Sequence, residues 1–505
     1  MSGRTWICVL ALCIGACSSS GTQSASPAAS PLGTAEARYW LPDEGRVFPA
    51  RLDYPNEAGV LTTLNVRGPT ETKGHPFFTP LGTNSRACIT CHQPSDGMGL
   101  SAATAQAAWK ERGAADPLFE AIDGSNCPNL PQADAASHSL LLQHGLIRIV
   151  RPWPPRAADG TRIEPEFTLE VLRDPTGCNR EPGSISVYRR PRPAANLKYA
   201  TAIGFAFDPK NGLPLQLDPV TGQPTSGNLL ADVRALTLEG QAIDALASHL
   251  QLHGAPDAEQ LRRIIEFENQ LYTAQSSHAT AGSLSEGGAQ GGPDFLVTNP
   301  AGALQSTATP IWSEFTPWKM LPPPAAGTND PAYAMRQSIA RGAELFSKRM
   351  FLVTDSAGIT DTGFGNPVRN SCAFCHNMRH VGLDVAPGQV DLGTVNLPFA
   401  RLPASNANAE LPLFRLTCSR EAAPHPHLGR VIYTHDPGYA LSTGRCIDIG
   451  KITAQSLRGL AGRAPFFANG SARTLREVID YYDERYTIEL TDQEKDDLTH
   501  LLEVL

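Results

Sequence analysis

Two Cys-x-x-Cys-His pentapeptides are the residues of this chain whose types and spacing could do chemistry. At this spacing two thiols can add to the vinyl groups of one haem while the adjacent histidine becomes an axial ligand of the iron. A zinc site would need four ligands close together, and neither motif has a second cluster of cysteine or histidine beside it in sequence. The chain is therefore predicted to carry two covalently bound c-type haems, attached at Cys88, Cys91 and His92 and at Cys372, Cys375 and His376.

The N-terminus has the features of an export signal. Arg4 precedes an apolar run from Trp6 to Ile14, and the run closes on Ile14-Gly15-Ala16-Cys17, a pattern typical of a bacterial lipoprotein. The run is much shorter than the roughly 20 residues of a transmembrane helix. We expect cleavage before Cys17 and acylation of its thiol, which would anchor the chain to a membrane. Ser18 favours the outer membrane, on the periplasmic side of the cell envelope.

The remaining cysteines suit two disulfides. Of the 11 cysteines, three lie in the signal and four in the haem motifs, which leaves Cys127, Cys178, Cys418 and Cys446. Export to an oxidising compartment makes disulfides the default. The order along the chain favours Cys127–Cys178 and Cys418–Cys446, and free buried thiols are the alternative.

Length and composition suggest two haem domains. Beyond the signal peptide (1–17), a flexible linker over 18–38 is rich in Ser, Ala, Pro and Gly. We expect an N-terminal haem domain over 39–325 and a C-terminal haem domain over 326–505. The formal net charge, 42 − 50 = −8, argues against nucleic acid as a partner and permits docking of a basic electron carrier.

The hydrophobic periodicity favours helices around both motifs. Capping boxes at Thr474-x-x-Glu477 and Thr491-x-x-Glu494 open two C-terminal helices. We predict a mainly α fold of two cytochrome c-like domains with long loops and a small β insert over 148–188. Further helices are predicted over 229–252, 261–272 and 338–350.

Several segments closely resemble the bacterial diheme cytochrome c peroxidase family, whose superfamily includes MauG, an enzyme that oxidises residues of a partner protein. The segments are the first motif, 267–272, 448–451, 456–460, 464–471 and 474–478. The resemblance implies that the His92 haem reduces H2O2 with electrons relayed through the His376 haem. The electrons would come from a small cytochrome or cupredoxin, or from an oxidisable partner protein. A non-catalytic diheme electron carrier is the alternative.

The resemblance also implies a sixth ligand for the His376 haem. The family places a methionine, or in MauG a tyrosine, at the position that corresponds here to Tyr482. A phenolate oxygen stabilises ferric iron and lowers the reduction potential. Tyr481 and His435 are rival ligands, and Tyr482 could instead be a packed core residue. Ala468 stands where the family usually has a histidine.

At the His92 haem the resemblance implies a helix that overhangs the open face of the iron. The family's glutamine and glutamate acid/base pair corresponds here to Gln241 and Gln251, and glutamine cannot exchange a proton at neutral pH. His249 could supply the acid/base group, could bind the iron and close the site, or could have no role.

Two further departures concern the region between the haems. The family's electron-carrying tryptophan is replaced in the stretch around Phe205. The family's calcium site keeps Pro465 but has Arg463 in place of a threonine, which leaves calcium binding open.

Overall fold

A computed structural model provides the fold of the chain. It describes residues 39–157, 160–201, 225–299, 313–363, 365–376, 389–399 and 407–505. The predicted signal peptide with Cys17, the linker and the stretch around Phe205 lie outside the described residues.

The helices are mostly short, and the longer ones surround the two haem motifs. A one-turn 3₁₀ helix spans Cys88–Thr90 in the first motif. The α-helices are α1 (Ala102–Arg112), α2 (Ser139–His144), α3 (Leu197–Thr201), α4 (Leu238–Ser248), α5 (Ala258–Asn269), α6 (Pro293–Thr298), α7 (Pro331–Lys348), α8 (Cys372–Cys375), α9 (Ala407–Glu410), α10 (Ala440–Thr443), α11 (Leu475–Tyr486) and α12 (Asp492–Glu503).

The strands form several small antiparallel sheets. They are β1 (Val47–Phe48), β2 (Arg51–Asn56), β3 (Gly59–Asn65), β4 (Thr70–Glu71), β5 (Ile147–Pro152), β6 (Phe167–Arg173), β7 (Ser184–Arg189), β8 (Leu271–His278), β9 (Gly282–Ser283), β10 (Phe351–Val353), β11 (Val368–Asn370), β12 (Gln389–Val390), β13 (Leu413–Cys418), β14 (Val431–Thr434) and β15 (Ile452–Thr453). A four-stranded sheet has the order β2-β3-β8-β9 and a three-stranded sheet the order β14-β13-β6. The two-stranded sheets are β1-β4, β5-β7, β10-β11 and β12-β15.

The prediction of a mainly α fold was wrong. The described part of the chain is a mixed α/β fold, with 32% helix and 19% strand. The β insert expected over 148–188 contains β5, β6 and β7, but the larger sheet β2-β3-β8-β9 was not foreseen. Strand β8 is buried along most of its length although it carries Thr273, Gln275 and Ser276. Such a strand lacks the apolar/polar alternation that marks a half-buried strand in a sequence.

The predicted helices differ from the observed ones mainly at their ends. The helix expected over 229–252 is only α4, because Thr237 caps its start by accepting the amide hydrogen of Gly240. The helix expected over 261–272 ends at Asn269, and β8 begins two residues later. Of the two predicted capping boxes, the one at Thr491 is complete. At Thr474 the hydroxyl caps Glu477, whose carboxylate accepts from Arg473 instead.

Strand pairing within one sheet crosses the expected domain boundary at 325/326, and so does a buried ion pair. Strand β6 pairs with β13 in register from Phe167↔Cys418 to Arg173↔Leu413. Buried Arg189 at the end of β7 binds the carboxylate of Asp436 through Nε and Nη2. The two halves therefore share a sheet and a buried ion pair.

Each disulfide stays within its own half of the chain, one in the N-terminal half and one in the C-terminal half. Cys127 pairs with Cys178 and Cys418 pairs with Cys446, the pairing expected from chain order. Buried Cys418 and Cys446 belong to the apolar core beneath β5, β6, β7, β13 and β14. The other two large cores surround the haem motifs, one formed with α4 and α5 and the other with α7, α11 and α12.

Candidate functional site

Each haem motif forms one helical turn at the wall of its own cavity. The backbone amide of His92 donates to the carbonyl of Cys88 (3.1 Å), and that of His376 donates to the carbonyl of Cys372 (3.1 Å). Cysteines three residues apart lie on one side of such a turn. The four motif cysteines are thiols rather than disulfides, and all four line a cavity.

The loop after the first motif orients the ring of His92. Nδ1 of His92 lies 3.0 Å from the carbonyl oxygen of Met98, so this nitrogen carries the hydrogen and Nε2 keeps its lone pair. Burial lowers the pKa of His92 to about 4, which keeps the ring neutral. A neutral imidazole with its other nitrogen bonded to a carbonyl is the usual form of a metal-ligating histidine.

The first cavity lies between the first motif and helices α4 and α5. Its volume is about 1530 Å³ including its open mouth. The apolar part of its wall includes Leu238, Ala242, Ala245 and Leu246 from α4 and Ile264 from α5. These apolar side chains can therefore cover a planar apolar ring of tetrapyrrole size inside the cavity.

A chain of three polar side chains ends at this cavity. His249 is the C-terminal cap of α4 and lines the cavity, and its Nδ1 lies 2.5 Å from Oδ2 of Asp123. The other carboxylate oxygen of Asp123 accepts from Nη1 of Arg86, a fully buried side chain. Asp123 thereby holds the hydrogen of His249 on Nδ1 and leaves Nε2 for the cavity.

His249 is neutral in this environment. Burial lowers the pKa of its imidazole to about 4, and the Arg234 and Arg86 cations act in the same direction. A neutral ring with Nε2 unprotonated can accept a proton or can bind a metal ion. The sequence reasoning selected His249 but could not find Asp123, which has no local motif.

The two predicted glutamines do not lie together. Gln241 on α4 lines the cavity. Gln251 follows the end of α4 with a left-handed backbone (φ 56°), and its side-chain oxygen accepts from Asn84 (3.3 Å). Gln251 is not part of the cavity wall, because the chain leaves the helical path after Ser248.

A buried glutamate in the same wall was missed as a functional residue. Glu268 lies on α5, is 5% exposed, and has an Oε2 atom without a hydrogen-bond partner among the described residues. Burial raises the pKa of its carboxyl to about 8, so the group holds a proton at neutral pH. The sequence signal was available, since Glu268 occupies the apolar face of α5 together with Ile264 and Ile265.

The second cavity lies between the second motif and helices α7, α11 and α12. It has a volume of about 1590 Å³ including its mouth and is walled mainly by apolar side chains. Phe346 of α7 packs near the ring of His376, with centroids 6.1 Å apart. Helix α11 contributes Leu475, Val478 and Tyr482 to the wall, which is the apolar face predicted from the sequence.

Tyr482 is the tyrosine best placed toward this cavity. Its hydroxyl has no hydrogen-bond partner among the described residues, whereas Tyr481 donates to the carbonyl of Leu392 (2.7 Å) and Tyr486 bonds Ser356 (2.8 Å). Burial and Tyr486 raise the pKa of Tyr482 well above its usual value. His435, the other predicted rival, is bonded to the carbonyl of Pro412 (2.8 Å) and does not line the cavity.

The residues of both cavities fit a haem. Each cavity combines two thiols and a histidine on one helical turn with apolar walls. Among the described residues, including both motifs, no group of three or more His, Cys, Asp or Glu side chains is arranged to hold a metal ion by itself. A helix long and apolar enough to cross a membrane is also not found in the described ranges.

Comparisons of the chain with models of known protein families, with curated proteins and with solved structures found no match.

Proposed function

We propose that this protein is an exported diheme c-type cytochrome that reduces H2O2 at the His92 haem with electrons relayed through the His376 haem. The observation that carries the proposal is that each Cys-x-x-Cys-His turn opens on its own apolar cavity. The Asp123–His249 pair in the first cavity supports the assignment of the peroxide site. The electron donor would be a small cytochrome or cupredoxin, or an oxidisable partner protein.

The residues of the first cavity have distinct roles in this proposal. A haem held by Cys88, Cys91 and His92 would supply an iron that binds peroxide and exchanges electrons. His249 would take up a proton at Nε2 and give it back during cleavage of the peroxide O–O bond. Asp123 is a positioning residue, because it fixes the tautomer of His249. Gln241 orients the bound peroxide through its amide.

Glu268 provides a reserve of protons in the same cavity. Reduction of H2O2 to two water molecules consumes two protons and two electrons. A carboxyl group that is protonated at neutral pH can donate one of these protons and be refilled from solvent. Proton donation by Glu268 does not require Gln251, which lies outside the cavity wall.

The first experiment tests haem attachment. Cys88→Ala and Cys372→Ala should each lose one covalent haem, since a single thioether holds haem poorly, and the wild type should carry two. Haem-stained denaturing gels and the pyridine haemochrome spectrum measure this. A wild-type stoichiometry of one haem, or zinc in place of iron, contradicts the diheme assignment.

The second experiment tests the peroxide reaction. The reduced diheme protein is mixed with H2O2 in a stopped-flow spectrometer, and we expect rapid oxidation of both haems. A reduced small cytochrome c or a reduced cupredoxin then serves as the electron donor in steady state. If the diheme protein shows no spectral change after mixing with H2O2, the peroxidase assignment is contradicted.

The second candidate function is a non-catalytic electron carrier. The contact between His249 and Asp123 also favours this candidate. A histidine held by a carboxylate is the arrangement by which proteins orient metal ligands. If Nε2 of His249 were an iron ligand together with His92, the first haem would keep no position for peroxide. An EPR spectrum of the ferric protein distinguishes the candidates, because the peroxidase requires a high-spin component from the His92 haem.

The proposed location is the periplasmic side of the cell envelope, through a lipid on Cys17. Wild-type protein should partition with membranes, and Cys17→Ala should remain uncleaved or become soluble. Mature protein that is free in the periplasm and begins at residue 18 or later contradicts the anchor.

A further inference from the structure

The two cavities share one stretch of wall, and that wall is rich in buried arginine. Arg190 and Ser456 line both cavities. Arg192 lines the first cavity and Arg463 lines the second. Arg190 and Arg463 are 7% and 5% exposed, so their guanidinium groups are almost entirely removed from solvent.

Among the described residues, these guanidinium groups donate hydrogen bonds to neutral partners only. Arg190 donates to the carbonyl oxygens of Leu100 (2.5 Å), Arg463 (2.7 Å) and Pro465 (2.5 Å). Arg192 donates to the carbonyls of Thr453 and Ala454, and Arg463 to those of Ser456 and Gly459. Each hydrogen bond from the three groups to a described residue therefore ends on the main chain.

Neighbouring arginines are compensated differently. Arg189 binds the carboxylates of Asp232 and Asp436, and Arg234 binds those of Asp232 and Asp244. The charge of Asp96 acts on Arg190 and Arg463, and that of Asp232 acts on Arg192, in each case without a hydrogen bond to the guanidinium group. The oxygens of Asp96 accept from the backbone amide of Ser101 and the hydroxyl of Thr104. The shared wall thus has an excess of buried positive charge.

The same wall contains buried hydrogen-bonding atoms that have no partner among the described residues. Nε of Arg192 and both side-chain polar atoms of Asn228 are buried without a partner among the described residues, and both residues line the first cavity. Burial lowers the pKa of Arg190 and of Arg192 to about 9. A buried cation without a hydrogen-bonded counter-charge is costly, and an anionic ligand bonded to these guanidinium groups would reduce that cost.

We propose that Arg190, Arg192 and Arg463 form a carboxylate-binding wall between the two cavities that takes the haem propionates, with Arg190 serving both haems. The inference rests on the proposed diheme function. In each haem the propionates lie on the ring edge opposite the two thioether bonds. Guanidinium groups bind carboxylates in a planar, two-pronged geometry that lysine cannot reproduce.

The arrangement predicts which haem responds to which arginine. A cation beside a haem favours the reduced iron, because reduction removes one positive charge from the centre. Arg192→Gln should lower the midpoint potential of the His92 haem alone, and Arg463→Gln that of the His376 haem alone. Arg190→Gln should lower both. We expect roughly a tenfold change in each affected reduction equilibrium, which is 59 mV for one electron.

The test is a redox titration of the purified diheme protein, followed by optical and EPR spectra that assign each potential to its haem. Arg148→Gln is the matched control. Arg148 is also buried, its Nε also lacks a partner among the described residues, and it donates to Ser186 and to the carbonyl of Ile122, but it lines neither cavity. It should change stability and leave both potentials in place. Arg190→Lys should recover part of the shift.

The outcomes separate this inference from the proposed function. If the midpoint potentials change as predicted in all three variants, the carboxylate-binding wall is supported whether or not the protein reacts with H2O2. Two attached haems whose potentials do not move in Arg192→Gln and Arg463→Gln overturn the wall only. Should Arg190→Gln fail to fold, the other two variants decide. A chain that attaches no haem overturns both proposals.

Discussion

Nδ1 of His249 lies 2.5 Å from a carboxylate oxygen of Asp123, in the wall of the cavity that also contains His92. The pair joins the end of α4 to a loop more than a hundred residues earlier in the chain. It fixes one tautomer of His249 and so decides which nitrogen can act in the cavity. In the proposed function, the chemistry of the first cavity would depend on whether that nitrogen moves a proton or binds the iron of a haem.

We predict that His249→Ala slows the reaction of the reduced protein with H2O2 by roughly 100- to 10,000-fold, the loss typical of a missing general acid or base. Stopped-flow mixing measures the rate, and the haem stoichiometry should stay at two. His253→Ala is the control, because His253 is exposed and does not line the cavity.

The sign of the change distinguishes the two roles of His249. If His249 binds the iron, its removal opens a coordination position, converts low-spin to high-spin iron and accelerates the reaction. An unchanged rate together with an unchanged spin state would mean that His249 has no part in the chemistry.

The ion pair behind His249 should matter for stability. Arg86 and Asp123 have side chains that are 1% and 3% exposed. Asp123→Asn removes the one carboxylate that Arg86 binds directly among the described residues and leaves its buried cation poorly compensated, which costs about 3–5 kcal/mol. Urea unfolding followed by circular dichroism should show this loss. Asp53→Asn breaks an exposed pair with Arg51 and should cost less than about 1 kcal/mol; equal losses in the two variants would contradict the assignment.

Glu268 should make stability fall as the pH rises. Its pKa is raised to about 8 in the folded protein, whereas an unfolded glutamate titrates near 4.3. Between about pH 4.3 and 8 the folded state keeps a proton that the unfolded state has released. The free energy of unfolding therefore decreases by up to about 1.4 kcal/mol per pH unit in this window.

The variant Glu268→Gln removes this slope. Melting temperatures of the diheme protein at several values from pH 5 to 8 should diverge from those of the wild type, with the variant gaining most at high pH. Glu266→Gln, on the solvent side of the same helix, should keep the wild-type slope. Parallel curves for Glu268→Gln and the wild type would show that the carboxyl is not held protonated.

The parts of the site that the sequence predicted well are local in the chain. The Cys-x-x-Cys-His spacing places the motif residues close together in the chain, and the structure forms one helical turn at both motifs. The apolar face of α11 follows from a 3.6-residue period and contains Tyr482. The start of α12 follows from the capping box at Thr491.

The parts that the sequence did not predict depend on distant contacts or on buried polar residues. Asp123 reaches His249, and Arg190 reaches the 463–465 segment, through tertiary packing alone. Strand β3 buries Thr62 and Thr63, and β8 buries Gln275, so polar composition concealed both strands of the central sheet. A buried polar residue is satisfied by partners that periodicity does not identify, which explains why the fold was predicted as mainly α.

The last prediction concerns the sixth ligand of the His376 haem. Tyr482 lines the second cavity with a hydroxyl that has no hydrogen-bond partner among the described residues. If its phenolate binds the iron, Tyr482→Phe removes an anionic donor that stabilises the ferric state, so the midpoint potential of this haem should rise. The ferric spectrum should change to that of a water-bound or open iron, while the His92 haem keeps its spectrum.

Tyr481→Phe is the matched control on the same helix. This variant loses the hydrogen bond to Leu392, at about 1 kcal/mol of stability, and should leave the potential unchanged. A potential that responds to Tyr481→Phe and not to Tyr482→Phe would transfer the ligand role to the neighbouring tyrosine. A potential that responds to neither would make Tyr482 a packing residue.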